Sequence, residues 1–89
     1  MANIIAEGTT AANSADIVIT GPVMFSISQS AGLDPFDCKA NIQLKQGARY
    51  LTLAVLDGTP MGRAQVVIAP GTYRISKRKS TVAFGVEQG

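Results

Sequence analysis

The fold of this chain is indicated most clearly by one stretch, which reads Lys39-Ala40-Asn41-Ile42-Gln43-Leu44-Lys45. Its apolar side chains alternate with polar ones, so Ala40, Ile42 and Leu44 share one face of an extended strand. A period of two is typical of a sheet that buries one face and leaves the other in water. The stretch therefore predicts one strand of an antiparallel sheet.

The same period recurs on both sides of this stretch. Six or seven segments of the 89-residue chain show it, and Gly, Pro, Asn or Asp stands in nearly every gap between them. The dipeptides Gln46-Gly47 and Pro70-Gly71 are typical of tight turns. No apolar stripe with a helical period extends beyond two turns. We therefore predict an all-β fold, a small antiparallel β-sandwich or barrel of about six to eight short strands with little or no helix.

The inward faces of these strands define the predicted core. Phe25, on a segment where apolar and polar residues alternate, is expected at its centre. Tyr73 and Ile75 are expected to point inward from a later strand. Ala83 and Gly85 leave one face of the last strand nearly bare, which indicates that another layer packs closely against it.

Residues 50–56 differ from the alternating segments because they are more continuously apolar. This pattern predicts either a central strand covered on both faces or a strand that contacts another subunit. Charged residues make up only 16% of the chain, against about 25% in a typical soluble domain. Because a chain of this length has a limited core, the shortage of charge indicates uncharged surface presented to partners.

The length of the chain predicts a single β domain over residues 1–89. Residues 8–15 are small or polar and include nothing large to pack. We predict residues 1–16 as an N-terminal arm that is mobile or exchanged between copies, with an ordinary surface loop as the alternative. The chain begins without the basic leader of a signal peptide, and no stretch approaches the roughly 20 apolar residues of a membrane helix, so we expect no membrane association.

The residue types that most catalytic and metal sites need are scarce. The chain has no His and a single cysteine, Cys38, which has no second cysteine for a disulfide. Asp34 and Asp37 are spaced to hold a hard cation, but Asp residues beside a proline are typical of turns. No Gly-rich loop precedes a helix. We therefore expect no enzyme activity, no cofactor and no metal site.

Candidate interaction residues fall into two groups. Four of the eight basic residues lie within six positions, and they are Arg74, Lys77, Arg78 and Lys79. This group predicts either a solvated turn or a patch for phosphate, an acidic polymer or an acidic subunit. Phe36 and Tyr50 form the second group, because the other three aromatic residues, Phe25, Tyr73 and Phe84, fall on predicted core faces.

Three short stretches carry a resemblance to a known group of proteins. They read Gly8-Thr9-Thr10-Ala11-Ala12-Asn13-Ser14-Ala15-Asp16, Ala69-Pro70-Gly71-Thr72-Tyr73-Arg74-Ile75 and Phe84-Gly85-Val86. Together with the layout of the strands, they resemble small all-β virion structural proteins of tailed bacteriophages, such as capsid decoration or cement proteins. The resemblance transfers no site residue.

This resemblance implies a non-enzymatic virion structural protein that binds to a phage capsid and stabilises or decorates it. The implied partners are the major capsid protein or another virion protein, together with further copies of the chain, with a trimer favoured. The implied location is the virion surface, after synthesis in the host cytoplasm.

Two alternative functions stay open. A host- or glycan-binding β module of a phage tail or head fibre needs an exposed aromatic shelf, for which Phe36 and Tyr50 are the candidates. A small oligonucleotide-binding barrel needs exposed aromatics beside basic residues. The thin supply of such aromatics does not favour nucleic acid as a partner.

Overall fold

The computed structural model describes residues 2–28, 38–57, 62–80 and 82–89. Within these ranges it contains nine β-strands and no helix, so the predicted all-β fold is confirmed. The strands are β1 (Ala2–Gly8), β2 (Ala12–Asn13), β3 (Ile17–Ile19), β4 (Val23–Ser28), β5 (Lys39–Gln46), β6 (Arg49–Asp57), β7 (Ala64–Val67), β8 (Gly71–Lys77) and β9 (Phe84–Gln88). No helix able to cross a membrane occurs in this part of the chain.

The strands form two antiparallel sheets. Sheet I has the strand order β1-β9-β4-β7. Sheet II has the order β2-β8-β5-β6, and β3 also pairs with β8. Strands β2 and β3 meet different parts of β8, since Asn13 is opposite Ser76 and Ile17 is opposite Tyr73. Two short strands therefore share one edge of sheet II, while β6 forms its other edge.

The two sheets pack face to face around one core. Phe25 of sheet I is fully buried, as its place in the alternating pattern predicts. Tyr73 and Ile75 of sheet II point inward, as predicted, and are 1% and 0% exposed. The buried apolar side chains are Ile5, Ile19, Phe25, Ile27, Cys38, Ala40, Ile42, Leu56, Tyr73, Ile75, Phe84 and Val86.

The stretch at residues 39–45 forms most of β5, which lies between β8 and β6 in sheet II. Ala40 and Ile42 are fully buried and Leu44 packs against the core, which confirms the predicted inward face. A two-residue turn at 47–48 leads into β6. Gly47 has a φ of 64° there, a left-handed conformation that glycine adopts without a steric penalty.

Strand β6 is the edge of sheet II, so the prediction of a central strand covered on both faces is wrong. The β5–β6 register shifts between Ile42 and Gln43, which leaves Leu53 as an extra residue in a β-bulge. Leu51 and Leu53 are about half exposed, at 49% and 51%. The continuously apolar pattern of residues 50–56 does not distinguish a strand that is covered on both faces from a strand at an exposed edge. Contact with another subunit, the other interpretation of this segment, stays a prediction.

The close packing predicted beside the bare face of the last strand is confirmed at Gly85. A Cβ atom built on Gly85 would meet the carbonyl oxygen of Ile5 and would lie 2.9 Å from the amide nitrogen of Glu7. Both are backbone atoms, which move only if the whole strand moves. Glycine at position 85 therefore allows β1 to approach β9 closely.

The predicted N-terminal arm is divided between the two sheets. Residues 2–8 form β1, which pairs with β9 of the same chain. Residues 12–13 form β2, and the next residue, Ser14, donates its N–H to the Ile75 carbonyl at 2.8 Å. The N–H of Ile75 donates in return to the Ser14 Oγ at 2.9 Å. Residues 12–14 are thus tied to sheet II, and exchange of the arm between copies stays a prediction.

Candidate interaction surfaces

The structure separates residues that are close together in the sequence. Arg74 lies over the ring of Tyr50 on the outer face of sheet II. Arg78 and Lys79 are exposed beyond the end of β8. Lys77, which directly precedes them, is buried. The residues of the predicted basic group therefore lie in three different environments and do not form one patch.

A cluster of polar side chains, which we call the outer cluster, covers part of the outer face of sheet II. The strand register places Gln43 opposite Arg74 and Lys45 opposite Tyr50. Directly opposed residues of antiparallel strands share a face, so these four side chains meet. Asp16, in the segment just before β3, is the fifth member.

Asp16 accepts two hydrogen bonds within the outer cluster. The Tyr50 Oη donates to its Oδ1 at 2.7 Å, and the Lys45 Nζ donates to its Oδ2 at 3.0 Å. The hydrogen bond from Tyr50 has the larger effect on the carboxyl group and that from Lys45 the smaller. Together they hold the pKa of Asp16 below its ordinary 3.8. The carboxylate in turn raises the pKa of Lys45 above 10.5 and that of Tyr50 above 10.0. The Lys45 and Asp16 side chains are 40% and 36% exposed, so the pair positions the segment more than it stabilises the fold.

Arg74 connects three strands through its guanidinium group. Its Nε and Nη2 donate to the Gln43 Oε1 at 3.0 and 2.8 Å. The Gln43 Nε2 donates onward to the Thr52 Oγ1 at 3.2 Å. The guanidinium carbon lies 3.6 Å from the centroid of the Tyr50 ring. Tyr50 was predicted as an exposed aromatic residue for interaction, and Arg74 of the same chain covers one face of its ring.

Lys77 is 3% exposed, so its predicted place in a surface patch is wrong. Alternation along β8 turns it inward with Ile75, and its Nζ donates to the Gly8 carbonyl at 2.6 Å. The Nζ also lies 4.7 Å from the centroid of the Phe84 ring. Burial lowers the pKa of Lys77 from 10.5, and Cys38 partly opposes this shift. The side chain joins the end of β1 in sheet I to β8 in sheet II.

The exposed basic residues after β8 are Arg78 and Lys79. The N–H of Arg78 donates to the Lys39 carbonyl at 3.0 Å, which holds the backbone against the start of β5. Two exposed charges are a small footprint for a phosphate polymer, whose binding strength grows with the number of phosphates neutralised.

Exposed apolar side chains concentrate on two edge strands. Strand β6 ends sheet II, β7 ends sheet I, and the two strands lie next to each other. Five exposed residues on or just after these strands, which by register do not all face the same way, are together called the apolar flank. They are Leu51 (49% exposed), Leu53 (51%), Val55 (40%), Val66 (59%) and Ile68 (70%).

Sequence reasoning indicated three of the five residues of the apolar flank. The continuously apolar pattern of residues 50–56 indicated the β6 part. Val66 and Ile68 are not among the residues that the sequence analysis singled out. A signal was present, since residues 66–69 are also continuously apolar. In the structure Val67 is the one that packs against the core.

The described residues offer surfaces and no enclosed site. Among them there is no pocket and no group of three or more His, Cys, Asp or Glu side chains placed to hold a metal ion. Phe36, Asp34 and Asp37 lie in residues 29–37, outside the described ranges. The absence of enzyme activity and of a cofactor stays a prediction.

Comparison with known protein families, with curated proteins and with solved structures finds no match for this chain. The resemblance to bacteriophage proteins therefore stays a prediction. Tyr73 and Phe84, which belong to the stretches that carry it, are core residues. These two residues therefore contribute to the core of the fold and are not exposed for binding.

Proposed function

We propose that this protein is a non-enzymatic structural protein that binds to a bacteriophage capsid and stabilises or decorates it at the virion surface. Its partner is the major capsid protein or another virion protein, and it acts as a homo-oligomer. The bacteriophage setting comes from the resemblance of the three sequence stretches. The observation that carries the binding role is the apolar flank.

Single exposed apolar residues are ordinary, whereas a series of them along two adjoining edge strands favours an interaction site. Leu53 and Val66 are 51% and 59% exposed on neighbouring strands. Full burial of a side chain of this size contributes about 1.5–3 kcal/mol, and roughly half of that is still to be gained at each position. A small domain with a limited core would be stabilised by covering this surface.

The flank is suited to contact through side chains. The bulge at Leu53 interrupts the regular backbone ladder of β6, and bulges in edge strands hinder pairing with an additional strand. Arg49 at the start of β6 is exposed and Arg63 directly precedes β7, so charges border the apolar side chains along both strands. An apolar centre with a polar rim is the usual anatomy of a protein–protein interface.

The two alternative functions have less support. A glycan-binding shelf would use Tyr50, and Arg74 already covers one face of that ring. An oligonucleotide-binding barrel would use the basic residues after β8, from which the burial of Lys77 removes one charge. No observation on the described residues favours either alternative over binding to a protein surface.

Electron microscopy of purified virions tests the proposal directly, with particles that carry Leu53→Lys or Val66→Lys compared with wild type. We expect regular protrusions at lattice positions for wild type and reduced occupancy for both variants. Val18→Lys is the matched control, because Val18 is 74% exposed on β3 at the opposite edge of sheet II. Equal occupancy of all four proteins, each shown to be folded by circular dichroism, would exclude the flank as the capsid-binding surface.

The oligomeric state needs a separate measurement. Sedimentation equilibrium of the isolated protein gives its mass as a function of concentration. We expect a homo-oligomer, with a trimer as the state favoured by the resemblance. A strict monomer at all concentrations would contradict self-association and leave capsid binding to be judged by microscopy.

A further inference from the structure

We propose that β1 is an exchangeable strand: β1 of one copy pairs with β9 of a second copy, residue 9 moves with it, and residues 10–11 act as the pivot. The inference rests on the self-association included in the proposed function. It narrows the exchanged part of the chain from the first sixteen residues to the first nine, and it names the second copy as the partner.

Strand β1 is attached to its own chain by an irregular pairing. It is an edge strand of sheet I and, in the described part of the chain, pairs only with β9. From Ala2 to Gly8 the strand advances six residues, while the opposed residues, from Gln88 back to Phe84, span four. Two residues of β1 therefore have no opposite partner, because 6 − 4 = 2. Such bulges remove ladder hydrogen bonds, so β1 is held less tightly than a regular strand of its length.

The site that receives β1 is specific, and its backbone and hydrogen-bonding contacts come from the C-terminal part of the chain. Gly85 leaves room for the β1 backbone at Ile5, whose side chain is buried in the core. The Lys77 Nζ donates to the Gly8 carbonyl at 2.6 Å, and the N–H of Ser80 donates to the Thr9 carbonyl at 2.9 Å. Every copy offers the same site to the same strand, so an exchanged strand makes the contacts seen within one chain.

The pivot is confined to residues 10–11 by contacts on both sides. Residue 9 and the strand before it are held by β8, β9 and Ser80. From Ala12 onward the chain is held to sheet II, first by β2 and then by Ser14. Two residues connect the part of the chain held by β9 to the part held by sheet II, and the chain bends at residues 9 and 10. A hinge loop this short favours opening into an exchanged form.

Cross-linking of β1 to β9 tests the exchange. Asn3 and Glu87 are directly opposite in the β1–β9 register, at a separation typical of a disulfide. An Asn3→Cys chain and a Glu87→Cys chain are unfolded together, refolded at high concentration and oxidised. We expect a disulfide-linked heterodimer on a non-reducing gel, identified by mass spectrometry. The control is Asn3→Cys mixed with Thr52→Cys, which places the second thiol on β6, away from β9.

A different pattern of disulfides would contradict the exchange of β1. The chain with both Asn3→Cys and Glu87→Cys would form only an intramolecular disulfide, and the mixture of single variants would give no more heterodimer than the control mixture. That outcome would overturn the exchange even if the flank variants lose capsid occupancy. Conversely, a heterodimer that forms while Leu53→Lys particles keep full occupancy would support the exchange and contradict the proposed binding surface.

Changing the pivot length gives a second measurement that needs no cross-link. Deletion of Thr10 shortens the connection and should shift the elution of the protein toward the dimer in size-exclusion chromatography with light scattering. Insertion of Gly-Ser-Gly after Thr10 should shift it toward the monomer, because a longer hinge loop lets the strand fold back on its own chain more easily. An unchanged distribution for both variants would contradict residues 10–11 as a pivot.

Discussion

The guanidinium group of Arg74 stacks on the ring of Tyr50, with its carbon 3.6 Å from the ring centroid. The same group donates two hydrogen bonds to Gln43, and the Tyr50 hydroxyl donates to Asp16. A continuous chain of contacts therefore runs from β5 through β8 and β6 to the segment before β3. Through it, the outer cluster fixes the beginning of β3 on sheet II.

Arg74→Lys should weaken this chain of contacts. A lysine ammonium supplies neither the planar stacking group nor the paired donors of the guanidinium. We expect a loss of about 1 kcal/mol in the free energy of unfolding and a fall of about 4–8 °C in the melting temperature. Arg78→Lys is the control, because Arg78 is exposed beyond β8. Equal melting temperatures for the two variants would show that the stacked geometry is unimportant.

Asp16→Ala should remove a contribution to stability that depends on pH. The pKa of Asp16 is below 3.8 in the folded chain, so its contribution is complete above 3.8 and is lost as the pH falls through the lower, folded-state pKa. We expect urea unfolding to separate wild type from the variant at neutral pH, and the difference to shrink in acid. Asp16→Asn, which keeps an acceptor but lacks the charge, should show no such pH dependence.

The pKa of Tyr50 should also change when Asp16 is removed. The Asp16 carboxylate raises the pKa of Tyr50 above 10.0, so Asp16→Ala should lower it. Ultraviolet titration of the tyrosinate band measures this shift. A titration curve that does not change on removal of Asp16 would mean that the hydroxyl does not donate to the carboxylate in solution.

Lys77→Met should make the free energy of unfolding less dependent on pH in the alkaline range. Burial lowers the pKa of Lys77 in the folded chain, so the unfolded chain holds its proton more tightly. The wild type should therefore gain stability relative to the variant as the pH rises from the folded-state pKa to 10.5. Denaturant unfolding at neutral and alkaline pH checks this difference. A constant difference would place the ammonium in water.

Gly85→Ala should displace β1. The added methyl group would meet the Ile5 carbonyl oxygen, and overpacking of this kind costs about 1–3 kcal/mol. Gly21→Ala is the matched control, because a Cβ atom at Gly21 has no neighbour within 4 Å. Hydrogen exchange should show lost protection of the Ile5 and Glu7 amides in the Gly85 variant alone. Equal stability of the two alanine variants would contradict the close approach.

The sequence by itself determined the all-β class, the turn after β5 and the inward faces of β5 and β8. Alternation decides which side chains of β5 and β8 face inward, and Gly47 marks a turn whose φ requires it. These features are local, because a strand's two faces and a turn's backbone angles follow from neighbouring residues.

Only the tertiary structure decided which strands form the edges and which charges are buried. Lys77 and Arg74 both belong to a basic run in the sequence. Lys77 is buried because β1 and Phe84 of the other sheet lie against it, whereas Arg74 stacks on Tyr50 of β6. Continuously apolar β6 lies at an edge, since among the described strands it pairs only with β5. Strand order depends on contacts between residues far apart in the chain, and such contacts leave no period in the sequence.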